Sequence, residues 1–279
     1  MNYAWELYAQ NGFLEIDDLL THEQCDVLNK RAKEIVHEVE VPDVLSNVFD
    51  TEKSKRIQSE YFLNSGDKIS LFYGKYAHNE GNLVVEKLKA IDKIGHALHA
   101  LDPVFAEISQ SEKMRELVAG FAMAKPAIAQ SMYIFKHPHT CGEVNCHQDG
   151  TYLFTSPEST VGIWIALEDA TLDNGCLWVA PGEHNSPLRE RMIRQDDKTL
   201  FKTLDNSPWP TDKLVPIELK KGSALLLHSR LPHASMINKS TRSRPAYTLH
   251  IVDRQTEFSS DNWIRPFWTH LEQRKGAIG

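Results

Sequence analysis

The stretch Lys125-Pro126-Ala127-Ile128-Ala129-Gln130-Ser131-Met132-Tyr133-Ile134-Phe135-Lys136 decides how this chain is read. Ile128, Gln130, Met132, Ile134 and Lys136 fall at every second position, the period of a β-strand whose two faces meet different surroundings. Downstream, short apolar runs recur with turns between them: Thr151–Thr155, Val161–Leu167, Cys176–Val179, Leu214–Leu219, Ala224–His228 and Tyr247–Val252. Asp173-Asn174-Gly175, between two of these runs, is a hairpin-turn signal. Six or seven short strands without intervening helices predict a sandwich, jelly roll or barrel.

Upstream the pattern is mostly helical. Thr21-His22-Glu23-Gln24 fits a capping box, and Cys25, Leu28, Ala32, Ile35 and Val36 follow at three- and four-residue spacing. Gly12-Phe13-Leu14-Glu15-Ile16 alternates and could add a strand. A second helix is predicted from Val84 to Leu101, with Leu88, Ile91, Ile94, Leu98 and Leu101 on one side. Asp102-Pro103 reads as the cap and first residue of another helix, and Ser111 to Val118 as one more. Residues 40–82 hold little beyond the turn signal Asn64-Ser65-Gly66-Asp67. The expected organisation is one domain over 1–279: a mostly helical part at 1–124, a β core at 125–255 and a C-terminal tail at 256–279.

Bulk composition narrows the class. The chain has 279 residues, 41% apolar and 25% charged, as a soluble globular protein with a sizeable core does. A net charge of −7 and no long basic run argue against a nucleic-acid-binding surface. Cys25, Cys141, Cys146 and Cys176 are few for this length and come with no secretory leader, which points to a reducing, cytoplasmic setting. No apolar segment approaches the roughly 20 residues that span a bilayer. The last residues, Lys275-Gly276-Ala277-Ile278-Gly279, form neither a peroxisomal signal nor a prenylation box. No motif specifies an oligomeric state.

The chemistry is concentrated in His147-Gln148-Asp149, His233 and Arg244. Two His and one Asp are the ligand set that holds non-haem Fe(II) and leaves positions open for substrate and oxygen. The one-residue gap in H-x-D suits an extended segment, and the third ligand then comes from another strand. Arg244 offers a permanent cation with a planar fork that grips a carboxylate, as a keto-acid cosubstrate needs. Other readings stay open for the distal ligand. His228 ends an apolar strand, His184 follows one in a turn, and His250 lies inside one. His137 and His139 flank a proline and read as solvated. A zinc site on His139, Cys141, Cys146 and His147 lacks the second Cys pair that structural zinc uses. Arg189-Glu190-Arg191 and Arg194 resemble an anion-binding loop but read more simply as alternating charge on a solvated face.

Five segments carry a family resemblance: Tyr61–Ile69, Lys93–Ala100, Gln130–Lys136, Trp164–Thr171 and Asn174–Trp178. With them the chain resembles the phytanoyl-CoA dioxygenase family of Fe(II)- and 2-oxoglutarate-dependent oxygenases over almost its full length. The first three segments match one branch of that family, and the last two are shared more widely in it. The resemblance implies a double-stranded β-helix core, a jelly-roll or cupin-like form, with the helical N-terminal part packed on it. It implies iron on His147, Asp149 and His233, with these three serving as both the catalytic and the metal-binding set. It also implies 2-oxoglutarate paired with Arg244 and Ser235, and Lys93, Met132 and Trp164 lining the cosubstrate pocket. By its residues alone Lys93 is simply a lysine on the second predicted helix. Because Asp149 is present, where halogenases of the family carry a small residue, the implied outcome is hydroxylation of a small-molecule substrate. O2 is consumed, succinate and CO2 are released, and ascorbate assists. The readings set against it are a cupin-like metal or small-ligand binding protein without turnover, and a zinc hydrolase on the same ligands. Neither needs both the triad and Arg244. A missing peroxisomal signal weighs against an acyl-CoA substrate.

Overall fold

The structure, a computed structural model, describes residues 4–41, 48 and 59–271. Helix α1 (Trp5–Asn11) leads into strand β1 (Phe13–Ile16) and helix α2 (His22–Glu38). The Thr21 hydroxyl accepts from Gln24 N–H at 3.1 Å, and the Gln24 side chain accepts from Thr21 N–H at 2.9 Å, so the capping box closes. Cys25, Leu28, Ala32, Ile35 and Val36 are all buried, as their spacing requires. Helix α3 (Pro103–Ser109) starts at Asp102, whose carboxylate accepts from Val104 and Phe105 N–H and from Arg31 Nε of α2. Helix α4 (Glu112–Ala119) is capped by Ser111.

The remaining strands that position the site are β2 (Ile69–Tyr73), β3 (Ile91–His96), β4 (Pro126–Ile134), β5 (Val144–His147), β6 (Val161–Ala166) and β7 (Leu177–Val179). They continue with β8 (Glu190–Gln195), β9 (Lys198–Thr203), β10 (Val215–Ile217) and β11 (Ala224–His228). The last are β12 (His233–Ser235), β13 (Ala246–Asp253) and β14 (Thr269–His270). The main antiparallel sheet runs β1-β11-β6-β13-β4-β3-β2, with β14 also paired to β4. A second sheet runs β10-β7-β12-β5, and β8 with β9 forms a separate hairpin.

Alternation along the strands sorts the two faces of the main sheet. Tyr133, Ile163, Ile165, Leu226 and Leu249 pack with Leu28, Phe105 and Leu117 of the helices. Trp164, Ala166, Leu225 and Leu227 point the other way, toward Leu177, Val179 and Ile217 of the second sheet. Two facing antiparallel sheets with helices on the outer side make a cupin-like double-stranded β-helix. Among the described residues no helix is long and apolar enough to cross a membrane.

Several expectations are corrected. Residues 84–101 do not form one helix: short helices at Lys87–Ala90 and Leu98–Leu101 flank strand β3. Every residue of β3 is buried, so the strand shows no two-residue alternation, and Gly95 near its end disfavours a helix. Lys93 therefore stands on a strand. Thr151–Thr155 is not a strand either. Asp149–Thr151 forms a 3-10 turn, and the Tyr152 and Leu153 amides donate back to the Asp149 carbonyl at 2.9 and 3.2 Å. Asp173-Asn174-Gly175 does turn the chain, but β6 and β7 on either side lie in different sheets, so it is a crossing and no hairpin. Asn174 closes that loop on itself, accepting from Thr171 N–H and donating to the Asp169 carbonyl. The segment expected as a tail contributes β14 and the buried Trp263, Ile264 and Leu271.

Candidate active site

A cavity of about 770 Å3 lies between the two sheets. Its floor is the inward face of the main sheet, where cross-strand rows set the side chains. His250 pairs with Gly162 and Gln130, and Thr248 pairs with Trp164 and Met132. Met132 pairs in turn with Gly95, and Ile134 with Lys93. From Gln130 on, the period-two row of β4 is the cavity row, with Gln130, Met132, Ile134 and Lys136 lining it; Ile128, expected in the same row, lies across a register shift and packs in the helix-side core.

The second sheet brings the metal-type ligands together. His147 at the end of β5 and His233 at the start of β12 are direct cross-strand partners, with ring centroids 4.2 Å apart. Asp149 opens the 3-10 turn after β5, and its Oδ1 lies 3.8 Å from His147 Nε2 and 3.7 Å from His233 Nε2. One donor atom from each residue falls within 4.8 Å of the others, the one such group of His, Cys, Asp or Glu among the described residues. His147 Nδ1 sits 2.8 Å from the Asn145 carbonyl and His233 Nδ1 3.0 Å from the Leu231 carbonyl. A carbonyl only accepts, so both Nδ1 atoms carry the proton and both Nε2 lone pairs face the site, the tautomer a metal requires. Two imidazole nitrogens and one carboxylate on one side of an open cavity fit a divalent first-row ion with positions left free.

Asp149 is held from behind. His250 Nε2 lies 3.3 Å from its Oδ2. Burial raises this carboxyl, but His250, and His233 and His147 when protonated, outweigh it and keep the group below the ordinary carboxylate range. Gly162 makes room for it: a Cβ at that position would lie 2.7 Å from Asp149 Oδ2.

Arg244 is 1% exposed, and its Nε and Nη1 meet no hydrogen-bond acceptor among the described residues. The guanidinium lies over the Trp164 ring, 4.9 Å from its centroid. Burial pushes its pKa down to about 10, opposed by Asp92, Cys176 and Cys141. A buried cation with two unmet donors, sharing a cavity with the triad, fits a ligand carboxylate. Ser235 is beside the same corner, where its hydroxyl accepts from Lys136 Nζ at 3.0 Å. Lys136 also donates to the Gly142 carbonyl at 2.8 Å, and burial with Arg244 nearby pushes its pKa down to about 8. Lys93 Nζ is directed at Met132 Sδ, 3.9 Å away, and over the Phe72 ring.

Every expected site residue, His147, Asp149, His233, Lys93, Met132, Trp164, Ser235 and Arg244, lines this one cavity. Of the rival ligands, His250 meets Asp149 from behind without joining the ligand group, and the others lie apart from it. His228 Nδ1 accepts from Arg230 N–H at 3.1 Å, and its Nε2 lies 3.9 Å from Glu158. His184 Nε2 faces the Ala9 carbonyl at 3.1 Å. His137 is not solvated but stacks on Phe135 and bonds Ser243 through Nδ1 at 2.7 Å. Arg189 and Glu190 are buried rather than on a solvated face: Arg189 lies over the Trp209 ring just before β8, and Glu190 lines the cavity.

Sequence reasoning left Gly162 unremarked, weighed His250 only as a rival distal ligand, and placed Lys136 in the β4 row without a role in the site. A lone glycine in an apolar strand signals close backbone approach. Phase could have found the other two: Lys136 is in step with Gln130 and Met132, and His250 with Thr248.

The family model described as Phytanoyl-CoA dioxygenase matches residues 8–246. Phytanoyl-CoA dioxygenase domain-containing protein 1 of Rattus norvegicus is 43% identical over 269 residues, covering 93% of this chain and 92% of its own. The Arabidopsis thaliana protein named Phytanoyl-CoA dioxygenase is 38% identical over 262 residues, with 93% and 92% covered. Among solved structures, the non-heme alpha ketoglutarate dependent carbocyclase SnoK superposes with a TM-score of 0.63 at 16% identity, covering 92% of this chain and 86% of that one. EvdO2 of Micromonospora carbonacea, complexed with 2-oxoglutarate, gives 0.56 at 20% identity, covering 93% and 95%. At such identities the structures share the fold. The sequence matches carry more, and by them this chain belongs to the phytanoyl-CoA dioxygenase family.

Proposed function

We propose that the chain is an Fe(II)- and 2-oxoglutarate-dependent dioxygenase that hydroxylates a small organic substrate. The observation that carries this reading is Arg244, a buried cation with two unmet donors in the same cavity as two histidines and an aspartate at ligand spacing. A site for a metal alone has no use for such a cation, and burying it unpaired is costly unless a carboxylate arrives.

His147, Asp149 and His233 would hold iron. Bound there with the keto acid, iron supplies the oxidative chemistry that turns 2-oxoglutarate and O2 into succinate and CO2 and places one oxygen atom on a substrate carbon. The Asn145 and Leu231 carbonyls fix the imidazole tautomers, and His250 orients the Asp149 carboxylate. Arg244 pairs with the distal carboxylate of 2-oxoglutarate, and Ser235, polarised by the Lys136 ammonium, completes that end. Trp164, Met132 and Lys93 line the cosubstrate's place, and their apolar atoms keep water from it. No side chain has to act as a general base.

The test is release of labelled CO2 from 2-oxoglutarate labelled at its C1 carboxylate, with Fe(II), O2 and ascorbate, beside Asp149→Ala. Iron-dependent release that the variant lacks is the expected result. Release equal in the two would remove Asp149 from the site. No release together with no binding of 2-oxoglutarate would return the protein to the binding-module reading.

A further inference from the structure

One wall of the cavity is an aromatic box, with the Lys93 ammonium 5.2 Å from the centroid of one of its rings, Phe72. Phe62 and Trp263 stack at 4.4 Å with planes 12° apart. The His96 ring meets Trp263 at 5.1 Å, Phe72 at 5.4 Å and Phe62 at 6.1 Å. All four line the cavity, and His96 is fully buried at the end of β3.

The protonation of His96 follows from its neighbours. Its Nδ1 lies 2.9 Å from Ser65 Oγ. The Ser65 hydroxyl is already used as a donor, to the Phe62 carbonyl at 2.6 Å. Ser65 therefore accepts, His96 Nδ1 carries the hydrogen, and Nε2 is a bare lone pair. That atom is buried with no hydrogen-bond partner among the described residues. Burial, with the Lys93 cation close by, holds His96 well below the ordinary histidine range, so the ring stays neutral at physiological pH. His250, which touches Asp149, is near enough to bear on the same ring. The box and the metal-type ligands line the same cavity.

We propose that this box is the substrate subsite, and that it selects a neutral, largely apolar molecule bearing one O–H or N–H group, whose hydrogen is received by His96 Nε2. The inference rests on the oxygenase reading for its word substrate, though not for the site itself. A carboxylate or phosphate presents only acceptors and would face the lone pair with nothing to donate, whereas the Lys93 ammonium is directed at Met132 Sδ, in the place given to the cosubstrate. An ether or hydrocarbon of the same shape leaves the lone pair buried and unmet, and sites built to bond a donor reject such analogues. His96 acts here as a specificity residue.

The test uses 1-naphthylmethanol, its methyl ether and 1-naphthoate as probes. Each is titrated calorimetrically into protein loaded with Fe(II) and 2-oxoglutarate without oxygen, and into His96→Phe and His96→Gln. The alcohol should bind wild type at least about 10-fold more tightly than the ether or the acid. His96→Phe should bind the alcohol no better than the ether, whereas His96→Gln, which returns an acceptor near the Nε2 position, should keep part of the preference. Equal affinity for alcohol and ether in wild type overturns the proposal, as does tighter binding of the acid, a preference that survives in His96→Phe, or binding of none of the three. The wild-type comparison stands even if a variant fails to fold. Titration of 2-oxoglutarate into the same protein separates the two readings. Normal keto-acid binding with no donor preference sinks the subsite alone. A donor preference without keto-acid binding sinks the oxygenase alone.

Discussion

Arg244 brings a full charge to a place where the described residues offer its Nε and Nη1 nothing to bond. A charge-assisted pair to a carboxylate contributes about 1.5–3 kcal/mol, so Arg244→Ala should weaken 2-oxoglutarate about 10- to 150-fold while leaving Fe(II) affinity near wild type. Equal losses in both titrations would undo the role given to Arg244. Lys136 adds a pH dependence. In the free protein burial brings it down to about 8, and a carboxylate arriving beside Arg244 and Ser235 would raise it again. A group whose pKa rises on binding favours binding below its free-state value and loses that contribution as pH climbs through the bound-state value. Affinity for 2-oxoglutarate should therefore be full below about pH 8 and decline above it. Calorimetry across that range checks this, with Lys136→Met expected to flatten the profile. His250→Phe takes away the donor on Asp149 Oδ2 and should lower Fe(II) affinity about 10- to 100-fold. Unchanged iron binding would make His250 a bystander. At this scale the triad and Arg244 were legible because chemistry restricts which residue types can serve. His250 and Lys136 were legible only through phase, since each passes for an ordinary strand residue unless it is read with Thr248 or with Gln130 and Met132.

Among the elements, β6 shows how closely backbone and site are coupled. Asp149 Oδ2 lies where a Cβ on Gly162 would stand, 2.7 Å away on the strand that also carries Trp164. Gly162→Ala should displace the carboxylate and cut Fe(II) affinity at least about 10-fold, with little change in far-ultraviolet circular dichroism. Normal iron binding in that variant would contradict the placement of Asp149. Local signals were read correctly wherever an element's reasons are local: the Thr21 box, the Asp102 cap and the β4 alternation all depend on near neighbours. Strand β3 was misread for the opposite reason. Its apolar residues fall at helical spacing, and only helices on one face with the cavity on the other explain why Asp92, Lys93 and His96 are buried too. The β8–β9 hairpin was missed likewise, since a charged run gives no hint that Arg189 and Glu190 lie inside.

Across the whole molecule, the helical and β parts share one sheet. Strands β1, β2 and β3 from the first part pair directly or through neighbours with β4, β6, β11 and β13. Asn29 of α2 also accepts from the Tyr133 hydroxyl and donates to the Leu167 carbonyl. Urea unfolding should thus be one transition, with tryptophan fluorescence and far-ultraviolet circular dichroism coinciding; two separated transitions would mean the parts fold alone. Strand count and alternation made a two-sheet fold legible, but not which strand enters which sheet, because Asp173-Asn174-Gly175 looks the same in a hairpin and in a crossing. The central claim is that one cavity holds iron on His147, Asp149 and His233 and a keto acid against Arg244. Its most direct test is an oxygen-free titration of the Fe(II)-loaded protein with 2-oxoglutarate, followed by visible charge-transfer absorption of a keto acid chelating the iron. Wild type should give a band that saturates with 2-oxoglutarate, and Arg244→Ala should need far more of it. Iron bound by the triad with no band at any 2-oxoglutarate concentration would contradict the claim.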